Sequence, residues 1–218
     1  MSDAKSDPAA ETPRPYRQKA RAEAAEETAK RIALAFGALV HERWFEDITL
    51  EDVAQRAGVT VRTIIRRFGS KEGLLGSYID YLGPQIAEQR TVAPGDVEDA
   101  IKRVIDIYED IGDGVIRNLA QELRFSALRP PIERGRQEHR KITEATYAAW
   151  LLGLDAKQRR RKLDALVAAT DIYVWKLIRR DMGRSRAETE TVIREMVEAI
   201  LDRGAPAKKH TKGNGRRK

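Results

Sequence analysis

The 218-residue sequence contains no cysteine, few histidines and no long apolar run. Without cysteine the chain has no disulfide, no thiolate metal site and no cysteine nucleophile. A membrane-spanning helix needs about 20 mostly apolar residues, and no such run is present. The N-terminal segment also lacks the apolar stretch that is typical of a signal peptide. We therefore expect a soluble, cytoplasmic protein.

Residue patterns for catalysis or metal binding are equally scarce. The three histidines, His41, His139 and His210, lie far apart in the sequence and have no second metal ligand at helical spacing. The sequence contains no HExxH motif, no phosphate-binding glycine loop and no serine nucleophile elbow. We predict no metal site, no cofactor and no enzymatic activity, and we expect His139 to lie on the surface of a polar helix.

The formal net charge of +7 is concentrated at the C-terminus. Residues 204–218 contain six Lys and Arg residues and no acid, which leaves 35 of the 41 basic residues against 34 acidic residues elsewhere. We predict that this basic tail is disordered, and a non-specific contact between the tail and DNA phosphates is the open alternative. Electrostatic recognition by the folded part must therefore depend on local patches.

Helical periodicity extends over most of the remaining chain. Residues 1–17 are polar and contain three prolines, which predicts a disordered N-terminal tail. Beyond them, apolar residues recur every three or four positions, and no segment shows the alternation that is typical of β-strands. We predict an all-α fold of about nine helices, with a three-helix DNA-binding head at residues 18–82 and a helical regulatory and dimerisation body at residues 83–203.

Two short helical segments joined at Gly58 form the most informative pattern. Thr49 precedes the first segment, LEDVAQRA, as an N-cap, and Gly58 is expected to end it in a left-handed conformation. Thr60 then caps the second segment, VRTIIRRF. This pattern predicts a helix-turn-helix, whose second helix enters the major groove of DNA. Upstream, we expect Trp44, Phe45 and Ile48 to anchor a turn in the core.

The second helix has a basic face directed away from the predicted core. If Ile64 points inward, the outward side chains are suited to base edges and to phosphates, because they include arginines one turn apart and neighbouring hydroxyl groups. A basic helix solvated by water is the alternative. The DNA-binding residues predicted in this way are Thr60, Val61, Arg62, Thr63, Ile65, Arg66, Arg67 and Lys71.

The segment ITLEDVAQRAGVTVRTIIRRFGSKEGLL resembles the DNA-binding head of the TetR family of transcriptional regulators. The resemblance covers about residues 28–80, and the segment from Trp175 to Leu201 is similar to one common in the family. The residues that carry the resemblance in the head are Ile48, Thr49, Ala57, Gly58, Val59, Thr60, Phe68, Lys71, Glu72 and Leu74.

The resemblance implies a homodimer that binds a palindromic DNA operator, usually as a repressor that a small ligand releases. It implies phosphate contacts from Thr49, Thr60, Thr63 and Lys71, and base contacts from Val61, Arg62 and Arg66. Two positions depart from the family pattern. Many members have glycine in place of Arg62 and an aromatic residue, most often tyrosine, in place of Ile65. Ile65 could still contact a thymine methyl group.

The body offers weaker predictions. Its last two apolar stripes, within residues 157–202, are expected to pair with a second copy in a four-helix bundle. A pocket for a small-molecule effector is one interpretation of the aromatic residues, and an ordinary apolar core is the other. The candidate ligand-binding residues are Tyr108, Phe125, Tyr147, Trp150, Tyr173 and Trp175.

A second function remains compatible with the sequence. The basic helix and the C-terminal tail together would also suit a non-specific DNA-coating protein. Such a protein binds every DNA sequence with steep salt dependence. A regulator instead prefers a palindrome.

Overall fold

The computed structural model describes residues 14–202, with side chains from residue 18 onward. These residues form nine α-helices, three 3₁₀ turns and one π-helical turn, and no strand is present among them. The all-α prediction is confirmed. None of the described helices is long and apolar enough to cross a membrane. The predicted disorder of residues 1–13 and of the basic tail falls outside the described residues.

The chain divides into two compact units between Leu82 and Gly83, which we call the head and the body. The head contains α1 (Arg14–Glu42), a 3₁₀ turn (Phe45–Asp47), α2 (Leu50–Ala57), α3 (Val61–Phe68) and the first part of α4 (Lys71–Arg90). The body contains the end of α4, then α5 (Val97–Gln121), a 3₁₀ turn (Ser126–Leu128), α6 (Arg129–Thr146), a 3₁₀ turn (Ala148–Leu151), α7 (Ala156–Ala169), α8 (Ile172–Lys176), a π-helical turn (Leu177–Asp181) and α9 (Arg186–Asp202).

The core of the head is formed around Phe36 of α1. Its ring meets the rings of Phe45 and Tyr78 edge to face, with centroids 6.5 and 6.4 Å away. Gly37 allows Tyr78 to approach α1, since a Cβ atom at this position would lie 2.1 Å from the Tyr78 ring. Ile48 and Ile64 are fully buried in the same unit and bring α2 and α3 onto this core.

The core of the body lies between α5, α7, α8 and α9. Trp175 is completely buried, and Gly112 of α5 makes room for its indole. The apolar stripes that were predicted from the sequence supply the remaining core residues, which include Ile101, Ile105, Leu166, Ile193 and Val197. Burial of these stripes stabilises the fold at about 25 cal/mol per Å² of apolar surface.

Several local expectations need correction. Helix α1 begins at Arg14, within the segment we expected to be disordered, because a proline is tolerated in the first turn of a helix. Trp44 is 44% exposed, whereas Phe45 and Ile48 are buried, since residues three apart share one side of a 3₁₀ turn. His139 is only 6% exposed, so its predicted surface position is wrong. It continues a buried stripe of α6 with Thr143 and Thr146.

Candidate nucleic-acid interface

The first helix of the helix-turn-helix is capped at both ends. The hydroxyl oxygen of Thr49 accepts a hydrogen bond from the backbone of Asp52 (3.1 Å), and the Asp52 carboxylate accepts one from the backbone of Thr49 (3.0 Å). The hydrogen bonds that the Asp52 carboxylate accepts from the backbone and the hydroxyl of Thr49 hold the pKa of Asp52 below its ordinary value. Gly58 ends α2 with φ of 63° and ψ of 41°, a left-handed conformation that favours glycine. The turn therefore has the predicted chemistry.

Helix α3 has the predicted inner and outer faces. Thr60 caps it by accepting a hydrogen bond from the backbone of Thr63 (3.2 Å). Ile64 is completely buried, whereas the adjacent Ile65 is 49% exposed. The side chains of α3 that are exposed alongside Ile65 are Arg62, Arg66 and Arg67. Within residues 18–202, none of these three arginines forms an ion pair or a side-chain hydrogen bond that would occupy its guanidinium.

The other arginines near this motif are used to hold the head together. Arg56 forms a two-point contact with Glu42, with both N–O distances 2.6 Å. Arg43 lies 3.3 Å from Asp52. Both ion pairs connect α2 to the end of α1 and so stabilise the position of α2. They do not involve the basic face of α3.

Lys71 at the start of α4 has a different role from the other basic residues. Its ammonium group donates hydrogen bonds to the backbone carbonyls of Phe45 (2.8 Å) and Ile48 (3.0 Å) and lies 4.4 Å from the centre of the Phe45 ring. Partial burial lowers the pKa of Lys71. The ammonium therefore fixes the turn that precedes Thr49, which the sequence pattern did not indicate. Its contact with a DNA phosphate remains a prediction.

The six aromatic residues predicted to line a pocket do not form one group. Tyr108 and Trp175 are buried side by side in the core, with ring centroids 5.9 Å apart. Tyr147 and Trp150 form a second pair at 6.3 Å. Phe125 lies beside the guanidinium of Arg124, and Tyr173 is 54% exposed. Tyr108, Tyr147 and Trp175 therefore belong to the core of the body and Trp150 packs against it, whereas Phe125 and Tyr173 lie outside that core. The effector-binding role stays a prediction.

A polar cluster in the body surrounds the buried imidazole of His139. Its Nδ1 faces the guanidinium of Arg90, and its Nε2 lies 3.1 Å from the carbonyl oxygen of Val167. An arginine can only donate, so Nδ1 accepts and Nε2 carries the proton. Burial, together with the positive charge of Arg90, lowers the pKa of His139. The imidazole is therefore neutral at pH 7.

Two tyrosine hydroxyls belong to the same region of the body. The hydroxyl of Tyr108 donates to the carbonyl oxygen of Thr170 (3.1 Å). Burial raises the pKa of Tyr108 and that of Tyr147 to about 12. The positive charge of Arg90 lowers both pKa values by a smaller amount. Arg90 is half-buried and forms no ion pair with a carboxylate in the described part of the chain.

The C-terminal helices are attached to α5 by a row of ion pairs. Three acids on one side of α5 meet three arginines that follow Trp175. The pairs are Asp106 with Arg186, Glu109 with Arg179, and Asp113 with Arg180. Glu109 also accepts a hydrogen bond from the indole of Trp175 (3.0 Å).

Exposed apolar side chains lie elsewhere on the same helices. A groove of about 650 Å³ lies between the π-helical turn and α9. We call this region the C-terminal apolar surface. Its large exposed side chains are between 38% and 55% exposed, namely Leu177, Met182, Val192 and Met196. It falls within the range 157–202 that was predicted to contact a second copy.

The fold and the turn define an all-α helix-turn-helix protein, and comparisons with known proteins specify its class. The sequence model described as bacterial regulatory proteins, tetR family, matches residues 38–78. No curated protein matches the chain. Residues 38–78 of the head thus match the TetR family's sequence model, which confirms the resemblance seen in the sequence, and the chain contains a TetR-like helix-turn-helix.

Solved structures share the fold over most of the chain. A tetR-family transcriptional regulator from Streptomyces coelicolor is 14% identical, with a TM-score of 0.62 over 82% of this chain and 83% of that chain. A putative TetR-family transcriptional regulator from Rhodococcus sp. is 17% identical, with a TM-score of 0.59 over 80% of this chain and 99% of that chain. A putative TetR-family transcriptional regulator from Mesorhizobium loti is 16% identical, with a TM-score of 0.56 over 81% of this chain and 96% of that chain. The chain therefore shares the fold of these structures over most of its length.

Proposed function

We propose that the protein is a sequence-specific transcriptional repressor that acts in the cytoplasm, binds a palindromic operator as a homodimer, and is released from it by a small ligand. The observation that carries this proposal is the outer face of α3. Three exposed arginines there have no carboxylate partner among the described residues, while two capped helices and a glycine turn hold the helix in place.

The side chains of α3 suit direct contact with bases. Arg62 and Arg66 lie one helical turn apart, and an arginine can donate two hydrogen bonds to the O6 and N7 atoms of guanine. Ile65 is exposed between them and suits a thymine methyl group. Thr60 and Thr63 place hydroxyl groups at the start of the same helix, where phosphate contacts position a protein on DNA.

Selection of the purified protein against a random duplex library, at roughly physiological salt, tests the proposal. We expect a two-fold symmetric motif among the retained sequences. Retention without any enrichment, together with binding that vanishes as salt rises, would instead identify a non-specific DNA-coating protein. Truncation after Arg203 separates the two further, because coating by the basic tail requires a large loss of affinity and operator recognition by α3 does not.

The C-terminal apolar surface supports the homodimer. Exposed leucine, valine and methionine side chains surround one groove, and a cluster of exposed apolar side chains is typical of a protein–protein interface. A stable interface buries about 800 Å² on each partner, which two adjacent helices can supply. A dimer also lets two recognition helices contact two half-sites of one palindrome.

Substitution of one apolar residue tests the dimer. Leu177→Glu buries a charge in the proposed interface, so we expect light scattering to report a monomer. Leu152→Glu is the matched control, because Leu152 is 75% exposed and lies outside the C-terminal apolar surface. A dimeric mass for Leu177→Glu would contradict the proposed interface.

Arg90 supports an anionic effector. A half-buried cation that contacts a neutral imidazole is poorly compensated, and a carboxylate or phosphate from a ligand would complete its hydrogen bonds. The ligand would act by binding a DNA-incompetent conformation of the dimer more tightly than the DNA-bound one. Thermal unfolding with a panel of aliphatic and aromatic carboxylates at constant ionic strength tests this. Stabilisation by one class that disappears in Arg90→Gln is the expected result, whereas equal stabilisation of both proteins contradicts it.

A further inference from the structure

A small cleft in the head lies between α1 and α3, beside the predicted recognition surface. Its volume is about 260 Å³, and its lining consists of Ala25, Thr28, Thr63, Arg66 and Arg67. The two arginines are exposed, and no carboxylate in residues 18–202 pairs with either of them. The cleft is thus a concave polar site with uncompensated positive charge.

The hydroxyl groups of the cleft are partly engaged. Thr28 donates to the carbonyl oxygen of Ala24 (2.8 Å), and one hydroxyl of the Thr60–Thr63 pair donates to the other over 3.0 Å. The guanidinium groups therefore supply most of the free donors. Their planar arrangement of N–H groups suits the oxygens of a phosphate, and such contacts are charge-assisted.

Helix α1 extends the positive charge beyond the cleft. Residues three and four apart share one face of a helix, so Arg21 lies one turn before Ala25 on the side of α1 that lines the cleft. Arg21 is exposed and has no ion-pair partner among the described residues. The acids of this part of α1, which are Glu23, Glu26 and Glu27, fall on other sides of the helix. Lys19 also lies away from the cleft and pairs with Glu23 at 3.9 Å.

We propose that this cleft binds a DNA backbone phosphate through Arg67, and that Arg21 binds the phosphate next to it. The inference rests on the proposed function, since it requires α3 to lie against DNA. It adds α1 to the interface, which the helix-turn-helix pattern did not include. Both contacts are independent of base sequence, so they set affinity and position on the duplex while Arg62 and Arg66 select bases.

The salt dependence of binding tests the proposal with a matched pair of variants. Arg21→Gln and Lys19→Gln each remove one positive charge from the same exposed stretch of α1, on the cleft side and on the opposite side respectively. For Arg21→Gln we expect the same factor of lost affinity on the selected operator and on a random duplex. The slope of log affinity against log salt should fall by about one. Lys19→Gln should leave the slope close to that of the wild type.

Ethylation interference locates the contact on DNA. One phosphate whose ethylation weakens the wild type should lose its effect in Arg21→Gln. Equal salt slopes for the two variants, or an unchanged interference pattern in Arg21→Gln, would overturn the proposal. Failure of the proposed function is separately visible, because it would appear as a wild type that selects no operator. Circular dichroism melting of both variants checks that the head remains folded.

Discussion

The arginines of α3 and those of the body are used in opposite ways. Arg62, Arg66 and Arg67 are exposed and pair with no carboxylate in the described chain. In the body, by contrast, many arginines form ion pairs with acidic side chains. The paired residues include Arg103, Arg136, Arg140, Arg159, Arg179, Arg180, Arg186 and Arg194. Positive charge on α3 is therefore available to an external partner, whereas these eight arginines of the body are paired internally and Arg90 is an exception.

The difference also matters for energetics. An exposed ion pair stabilises a protein by about 0–1 kcal/mol, so the body pairs mainly specify which helices are neighbours. The unpaired arginines of α3 repel one another in the free protein. DNA relieves that repulsion and releases counterions when phosphates are neutralised. Four predictions test whether substitutions in the head and in the body have different effects on DNA binding and on stability.

The largest expected effect is on operator binding by Arg66→Ala. We expect a loss of about 1–3 kcal/mol and a relaxed preference at one base pair, because a two-point contact with guanine disappears. Fluorescence anisotropy with the selected operator and with single-base variants measures both quantities. If affinity falls by the same factor on every DNA sequence, Arg66 contacts a phosphate.

The second largest effect is expected for Lys71→Met, which should lower the stability of the head more than it weakens DNA binding. The change removes the two hydrogen bonds to Phe45 and Ile48, and we expect a loss of about 1 kcal/mol in the free energy of unfolding. Operator affinity should fall as the turn before Thr49 loosens, and an unchanged salt slope would show that Lys71 acts through this turn alone. A slope that decreases by about one would show that the ammonium contacts a phosphate instead.

His139 should make the stability of the body dependent on pH. Its pKa is lowered in the folded state, so the unfolded state binds more protons between the folded pKa and the ordinary value of 6.5. Stability should therefore decrease as pH falls below about 6.5. The charged groups that act on the imidazole are Arg90 and Asp171. Urea unfolding of wild type and His139→Gln between pH 5 and 8 should show a flatter profile for the variant. Parallel profiles would contradict this assignment.

The smallest effect is expected for Arg140→Ala. Arg140 lies 2.7 Å from Asp164, and both side chains are about half exposed. We expect a change in unfolding free energy within about 0.5 kcal/mol and no change in operator affinity. Arg140→Ala is thus the control for Arg66→Ala. A comparable loss of DNA binding in both variants would remove the distinction between free and paired arginines.

The features of the head that were predicted correctly are local in sequence. The caps at Thr49 and Thr60 and the left-handed Gly58 depend on residues at most four positions away. The burial of Ile64 beside the exposed Ile65 follows from helical periodicity in the same way. Such features can be predicted because a helix end and its neighbouring side chains satisfy one another over one turn.

The features that were missed depend on distant partners. The stripe of His139, Thr143 and Thr146 is polar, so a search for apolar periodicity did not mark it as buried. Lys71 matched the family pattern, but its carbonyl partners lie 23 and 26 residues away. The six aromatic residues have suitable spacing in sequence, yet the fold places four of them in or against the core of the body and leaves Phe125 and Tyr173 outside it.

The sequence alone determined the helical class, the turn at Gly58 and the basic outer face of α3, because each depends on contacts within one or two helical turns. Only the tertiary structure decided which charges remain free. Arg179 and Arg186 find Glu109 and Asp106 across 70 and 80 residues of sequence, whereas Arg66 and Arg67 find no acid among the described residues. Whether an arginine meets an acid depends on which helices pack together. Such partners are far apart in the sequence, and no periodic pattern indicates them.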